Sequence, residues 1–214
     1  MLESRRWFER SPVTTAIRLI GCELRIGGVR ARVTEVEAYA GSEDSASHAR
    51  FGPKGRSRTM FESPGRAYVY LCYGIHNMLN VVAHEDDEAG AVLIRSCALV
   101  QGEALVARRR GPVTAKMPVS AWLKGPGNVG KGLGVDRSWD AHPLYRSGGL
   151  TLHRGDAPTT VRVGRRIGID FSKPRDRSRR WRFACAEASH VSDPKGLRTM
   201  SRSSALALAE RSRS

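Results

Sequence analysis

Two extended runs, residues 22–26 and 29–39, flank the pair Gly27-Gly28, and that arrangement commits the chain to an antiparallel hairpin. A two-glycine turn supplies the positive φ angles that a tight reversal needs. Along the second run, strand alternation puts Glu35, Glu37 and Tyr39 on one face and Thr34, Val36 and Ala38 on the other, so an acid and a ring look into the same space. A second strand pair, 67–73 and 77–83, bends about Gly74-Ile75-His76. There alternation separates Tyr68 and Tyr70 from Tyr73, which falls beside the bend and is presented outward. Residues 91–99 read as a nearly apolar strand interrupted by Arg95, and later strands are expected at 149–153, 160–163 and 181–186. Residues 11–20 read as a short helix capped by Ser11, with Pro12 in its first turn, and 101–110 as a helix with a cationic end.

This pattern gives one domain over residues 1–192. The basic, Ser/Arg-rich stretch 193–214 has little apolar periodicity and is expected to be disordered or a frayed helix. The 52–65 stretch reads as an exposed loop whose cations could follow a phosphate backbone. Lys plus Arg outnumber Asp plus Glu by 36 to 21, a net charge of +15, which makes a polyanion, nucleic acid first, the expected partner. The alternative is that the arginines only solubilise the surface. Cys22, Cys72, Cys97 and Cys185 lie far apart without metal-ligand spacing, so they read as reduced core thiols. No apolar run approaches a bilayer span and the start lacks the centre of a signal peptide, so a soluble protein without a secretion signal is expected, cytoplasmic and nucleoid-associated in a bacterium.

Glu37, with His48 and the tyrosines of 68–73, raises chemistry on a nucleic-acid base, although each group has a plainer reading. A strand carboxylate is often a surface group, a lone histidine usually is one, and strand tyrosines commonly pack a core. The glycine-rich stretch 125–132 falls short of a nucleotide-phosphate loop, because Gly132 follows Lys131 where Ser or Thr would hold magnesium. It fits a helix start: Gly127 and Lys131 could meet a DNA phosphate, or the glycines could serve tight packing. The acidic run 84–88 reads as a solvated turn rather than a metal site.

In their order along about residues 12–192, several short motifs together resemble the alkyladenine (3-methyladenine) DNA glycosylase family. They are Glu35-Val36-Glu37-Ala38-Tyr39, Ser47-His48, Met60-Phe61, Pro64-Gly65, Tyr68-Val69-Tyr70, Tyr73-Gly74, Asn80, Gly90 to Arg95, Gly125-Pro126-Gly127 and Arg166 to Ile169. The resemblance implies an α+β fold, a single compact domain around a curved, mainly antiparallel sheet with flanking helices and a protruding β-hairpin. It implies a monomeric, monofunctional base-excision-repair hydrolase that needs no metal or cofactor and acts on damaged purines in double-stranded DNA. Glu37 would be the general base, with Arg95 and the carbonyl of Val191 holding the water. Tyr39, His48 and Tyr70 would enclose the extruded base, Asn80 would gate it against guanine, and Tyr73 would wedge into the duplex. Ile75 and His76, beside the wedge, would touch DNA and depart from the family pattern. Two alternatives stand beside this: a glycosylase/lyase using Lys54, Lys124 or Lys131, and a non-catalytic nucleic-acid-binding module that stacks bases on tyrosines.

Overall fold

The computed structural model describes residues 1–85 and 88–211. Ser11 caps the first helix, α1 (Pro12–Leu19), by accepting a hydrogen bond from the Thr14 amide at 3.2 Å, and the helix buries Ala16, Ile17 and Leu19. The glycine turn then joins β1 (Glu23–Ile26) to β2 (Val29–Tyr39) as the sequence requires, with Gly27 and Gly28 both at positive φ. The second hairpin is β3 (Ala67–Cys72) and β4 (His76–Val82), followed by β5 (Ala91–Gln101), α2 (Glu103–Arg110) and α3 (Pro126–Leu133). The remainder comprises β6 (Thr151–His153), β7 (Thr160–Gly164), α4 (Pro174–Ser178), β8 (Arg182–Ala184), β9 (Arg198–Ser201) and α5 (Arg202–Arg211).

The nine strands of the described residues belong to one antiparallel sheet of order β3-β4-β5-β2-β8-β7-β9, with β1 joining β2 to β6 beside that path. The two faces do different work. Val36, Ala38, Ala67 and Val69 enter the main core with α1, whereas Tyr68, Met60, Ala49 and Ala91 form a smaller cluster against which Tyr70 packs. Alternation along β2 and β3 therefore separates a packing face from a site face. Where β2 meets β5 the register slips three times, once between Arg30 and Ala31 and then between Val33 and Glu35 and between Glu35 and Val36, the last two leaving Thr34 on β2 and Arg95 on β5 without a direct opposite. Such bulges re-aim side chains, and Arg95 turns toward the carboxylates of β2.

Two expectations are corrected. The stretch after Ser192 is not without order over its described part. β9 pairs along β7, and α5 lies against α1 with Ala205 and Ala209, one turn apart, both buried. Small residues at helical spacing suffice there because the helices approach closely, a signal too weak to stand out in a Ser/Arg background. Nor is 52–65 wholly exposed. Lys54, Arg56 and Arg58 face solvent, but Ser57, Thr59 and Met60 are buried, with Ser57 donating to the Gly52 and Lys54 carbonyls and Thr59 to Asp140. Of the acidic run 84–88, Asp86 and Asp87 lie outside the described residues. His84 is buried against the carbonyls of Glu62 and Glu85.

Cys22, Cys97 and Cys185 are buried free thiols and Cys72 is half-buried. Among the described residues no helix is long and apolar enough to cross a membrane.

Candidate active site

Glu37 projects from the site face of β2 and is fully buried. Its Oε1 accepts a hydrogen bond from the Ile167 amide at 2.8 Å, its Oε2 accepts one from the Tyr39 hydroxyl at 2.8 Å, and Arg95 Nη1 lies 3.2 Å from Oε2. Two residues back, Glu35 is as buried but more fully engaged: it accepts from Arg182 at 3.0 Å, Ser96 at 2.9 Å and the Ser192 amide at 2.7 Å, with Arg95 Nε at 3.5 Å. A carboxylate offers about four lone-pair sites. Glu35 accepts three hydrogen bonds and Glu37 two, with Arg95 ion-paired to both, so Glu37 is the less fully engaged of the two. Burial works against the charge on Arg95, but the facing carboxylates of Glu37 and Glu35 outweigh it and hold the guanidinium protonated.

Tyr39 links this cluster to a cavity of about 490 Å³ that it lines with His48, Tyr68, Tyr70, Asn80 and Tyr73. Its ring lies under the Arg166 guanidinium at 4.8 Å, and Arg166 is held by Asp44 through two bonds of 2.6 and 2.9 Å between fully buried side chains. Burial, then the charge of Glu37, pushes the Tyr39 phenol well up, so it stays a donor.

His48 stands across the cavity. Its Nδ1 meets the Tyr68 hydroxyl at 2.7 Å and its ring packs edge-on to Tyr70 at 4.8 Å. Burial, reinforced by Arg56 and Arg50, pulls its pKa from 6.5 down to about 4, so the imidazole is neutral near pH 7. Burial also pushes the Tyr70 phenol up, to about 12. The loop that presents His48 is tied down by two acids: Asp44 accepts from the amides of Ala40 and Ala46, and Asp176 accepts from the amide and hydroxyl of Ser45.

The structure gathers Tyr39, His48, Tyr70, Asn80 and Tyr73 at one cavity, with Glu37 and Arg95 behind its wall. Asn80 pairs across the hairpin with Tyr68 and donates to its carbonyl at 3.0 Å, which fixes the amide in the floor. Tyr73 is 92% exposed at the hairpin tip with Ile75 at 72%. Val191 is buried; its neighbours bind β2, His190 through Thr34 and Ser192 through Glu35. Gly127 packs on His76, where a Cβ would lie 2.7 Å from Nδ1, and Lys131 is exposed on the same helix. At Gly127, Gly130 and Gly132 the glycines serve close approach.

Sequence reasoning named the tyrosine ladder but missed Tyr68 as the group that orients His48. The signal was its shared phase with Tyr70. Arg56, which lines the same cavity, and Asp44 and Asp176, which act through loop backbone, carried no pattern that marks them.

A buried acid behind an aromatic cavity, with a neutral histidine inside and an exposed tyrosine at the rim of a strongly basic chain, defines an enzyme that acts on nucleic acid. The sequence pattern of the methylpurine-DNA glycosylase family matches residues 6–189. The DNA-3-methyladenine glycosylase of Arabidopsis thaliana is 46% identical over 190 residues, spanning 88% of this chain and 73% of the plant protein. Putative 3-methyladenine DNA glycosylases of Nitrosococcus oceani and Mycolicibacterium fortuitum are 43% and 39% identical, over 87% and 85% of this chain and 91% and 92% of their own. The chain belongs to the methylpurine-DNA glycosylase family. It is a DNA glycosylase of DNA repair, and DNA is its partner.

Proposed function

We propose that this chain is a monofunctional glycosylase that works as a monomer on double-stranded DNA. It turns an alkylated purine, 3-methyladenine or 7-methylguanine, out of the duplex and hydrolyses its N-glycosidic bond. Hypoxanthine and etheno-adenine are further candidate substrates. The observation that carries this reading is the buried, incompletely hydrogen-bonded carboxylate of Glu37, one hydrogen bond from a cavity large enough to take a purine.

A stacked base hides its glycosidic bond, so the nucleotide must leave the helix, at a cost of a few kcal/mol that is smallest for damaged bases. Tyr73, on the exposed hairpin, fills the gap, with Ile75, His76, Gly127 and Lys131 meeting the duplex around it. Alkylation at a ring nitrogen leaves the purine cationic. The faces of Tyr39 and Tyr70 then favour it by about 0.5–2 kcal/mol each, and a neutral His48 adds no opposing charge. With Nδ1 engaged by the Tyr68 hydroxyl, Nε2 is the His48 nitrogen left to bond the base. Asn80, held by Tyr68, meets the exocyclic amine of guanine as a barrier.

As the bond from C1′ to the base nitrogen breaks, its electron pair leaves with the purine and the sugar becomes oxocarbenium-like. Glu37 stabilises that charge and takes a proton from a water whose oxygen bonds C1′, leaving an abasic site. Arg95 and the Val191 carbonyl position that water. No lysine nucleophile takes part.

The test incubates the purified protein, with chelator present, with duplexes each carrying one modified purine, and identifies free base by chromatography. Glu37→Gln lowers release by about 10²–10⁴-fold while binding to an abasic-analogue duplex persists. Full activity of that variant, or a borohydride-trapped adduct with the wild type, overturns the mechanism.

A further inference from the structure

Beside the base cavity lies a second one, of about 590 Å³, that shares His48, Arg56 and Phe171 with the first and adds Phe51 and Lys54. Its character is different. Phe51 and Phe171 are 62% and 65% exposed, large apolar rings that contribute little to the core. Between them sits Arg50, whose guanidinium is 4.2 Å from the Phe51 centroid and 5.1 Å from that of Phe171. That guanidinium does not wander, because Nη1 donates to the carbonyls of Ser45 at 2.8 Å and Ser47 at 3.2 Å. The Phe171 side is anchored as well, through Ser172 to Ile169 and through the Lys173 amide to Ser45. Lys54 and Arg56 are exposed and, among the described residues, form no ion pair with a carboxylate.

Fixed ring faces with free cations beside them are the elements that hold an unpaired nucleotide: any base stacks on the rings, and its phosphate meets the cations. Consecutive nucleotides are joined by a single phosphate, so a strand that sends one base into the first cavity delivers its neighbour to the adjoining one. Arg56, which lines both, stands where the connecting phosphate passes. We propose that Phe51 and Phe171, with Lys54 and Arg56, form a second nucleotide subsite that takes the unstacked base next to the excised one on the same strand. This rests on the functional reading above and extends the protein's grip from one extruded nucleotide to two.

The test measures affinity of the full chain, by fluorescence anisotropy, for duplexes with a non-cleavable abasic analogue at the target position. The neighbouring nucleotide on the 5′ or the 3′ side is either intact or also lacks its base. Wild-type protein is expected to bind about tenfold more weakly when the base is missing on one of the two sides. Phe51→Ala binds the intact probe about tenfold more weakly and is indifferent to removal of that base, and Phe51→Trp restores both properties. Lys54→Ala lowers the slope of log affinity against log salt by about one. Loss of less than about twofold on both sides by the wild type overturns the subsite, and that arm needs no variant to fold. So does equal sensitivity of Phe51→Ala and wild type to base removal. The probes carry no target base, so failure to release methylated purines would sink the functional reading while leaving this result standing.

Discussion

Tyr73 holds φ at 50°, a left-handed conformation that costs a bulky L-residue about 1–2 kcal/mol. Nothing in the fold needs a ring there, since it is almost wholly in solvent. Strain kept at an exposed aromatic points to use on a partner. Tyr73→Gly should therefore leave the melting temperature unchanged or raised, while excision from duplex DNA falls about tenfold or more and excision from a single strand changes little. Equal loss on both substrates would show that the ring acts in the pocket instead. His48 makes the opposite trade, because its neutral form is bought by burial. Unfolded, it takes a proton near pH 6.5; folded, only near about 4. The unfolded chain binds the extra proton in that window, so this contribution to stability is complete above about pH 6.5 and lost as pH falls through about 4. Thermal melts of wild type and His48→Gln at pH 7 and pH 5 should show a smaller acid loss in the variant.

At the scale of elements, the hairpin of β3 and β4 must be rigid enough to carry Tyr73 out from the sheet, and α3 is what braces it. Gly130 faces the Asn77 carbonyl so closely that a Cβ would overlap the oxygen, and Gly127 lies against His76. Gly130→Ala should force the helix off the strand, at a cost of about 1–3 kcal/mol seen in chemical denaturation, although alanine is the better helix former. An unchanged midpoint would mean that α3 does not brace the hairpin. The paired bulges of β2 and β5 are the second element-scale device. They leave Arg95 between the pairs Val36–Ile94 and Glu35–Ser96, where its guanidinium lies 3.2 Å from Glu37 and 3.5 Å from Glu35.

For the whole molecule, the excess of 36 basic over 21 acidic residues sets how affinity responds to salt. Each phosphate neutralised adds about −0.9 to the slope of log affinity against log salt, so a footprint of about six contacts loses about 10³-fold between about 50 and 200 mM salt. Anisotropy titrations with undamaged duplex across that range check this. A flat response would mean that the charge serves solubility alone.

The outline of the sheet and one wall of the site were legible in the residues. Gly27-Gly28, the Ser11 cap and the alternation of β2 and β3 are local signals, written in residues that are neighbours in the chain, and they placed Glu37 with Tyr39 and Tyr73 at a tip. The order of motifs added the family and, with it, the expected roles of His48, Arg95 and Asn80. Tertiary structure decided what depends on contacts distant in sequence. The contacts from Ile167 and Arg95 to Glu37, the three hydrogen bonds to Glu35 from Ser96, Arg182 and Ser192, and the hold of Asp44 and Asp176 on the His48 loop each join separate segments. A carboxylate's chemistry is set by its donors and its distance from water, and neither is a property of the residues beside it in the chain. That is why two glutamates only two positions apart, alike in sequence, differ in how fully their oxygens are engaged, the difference on which the proposed role of Glu37 rests.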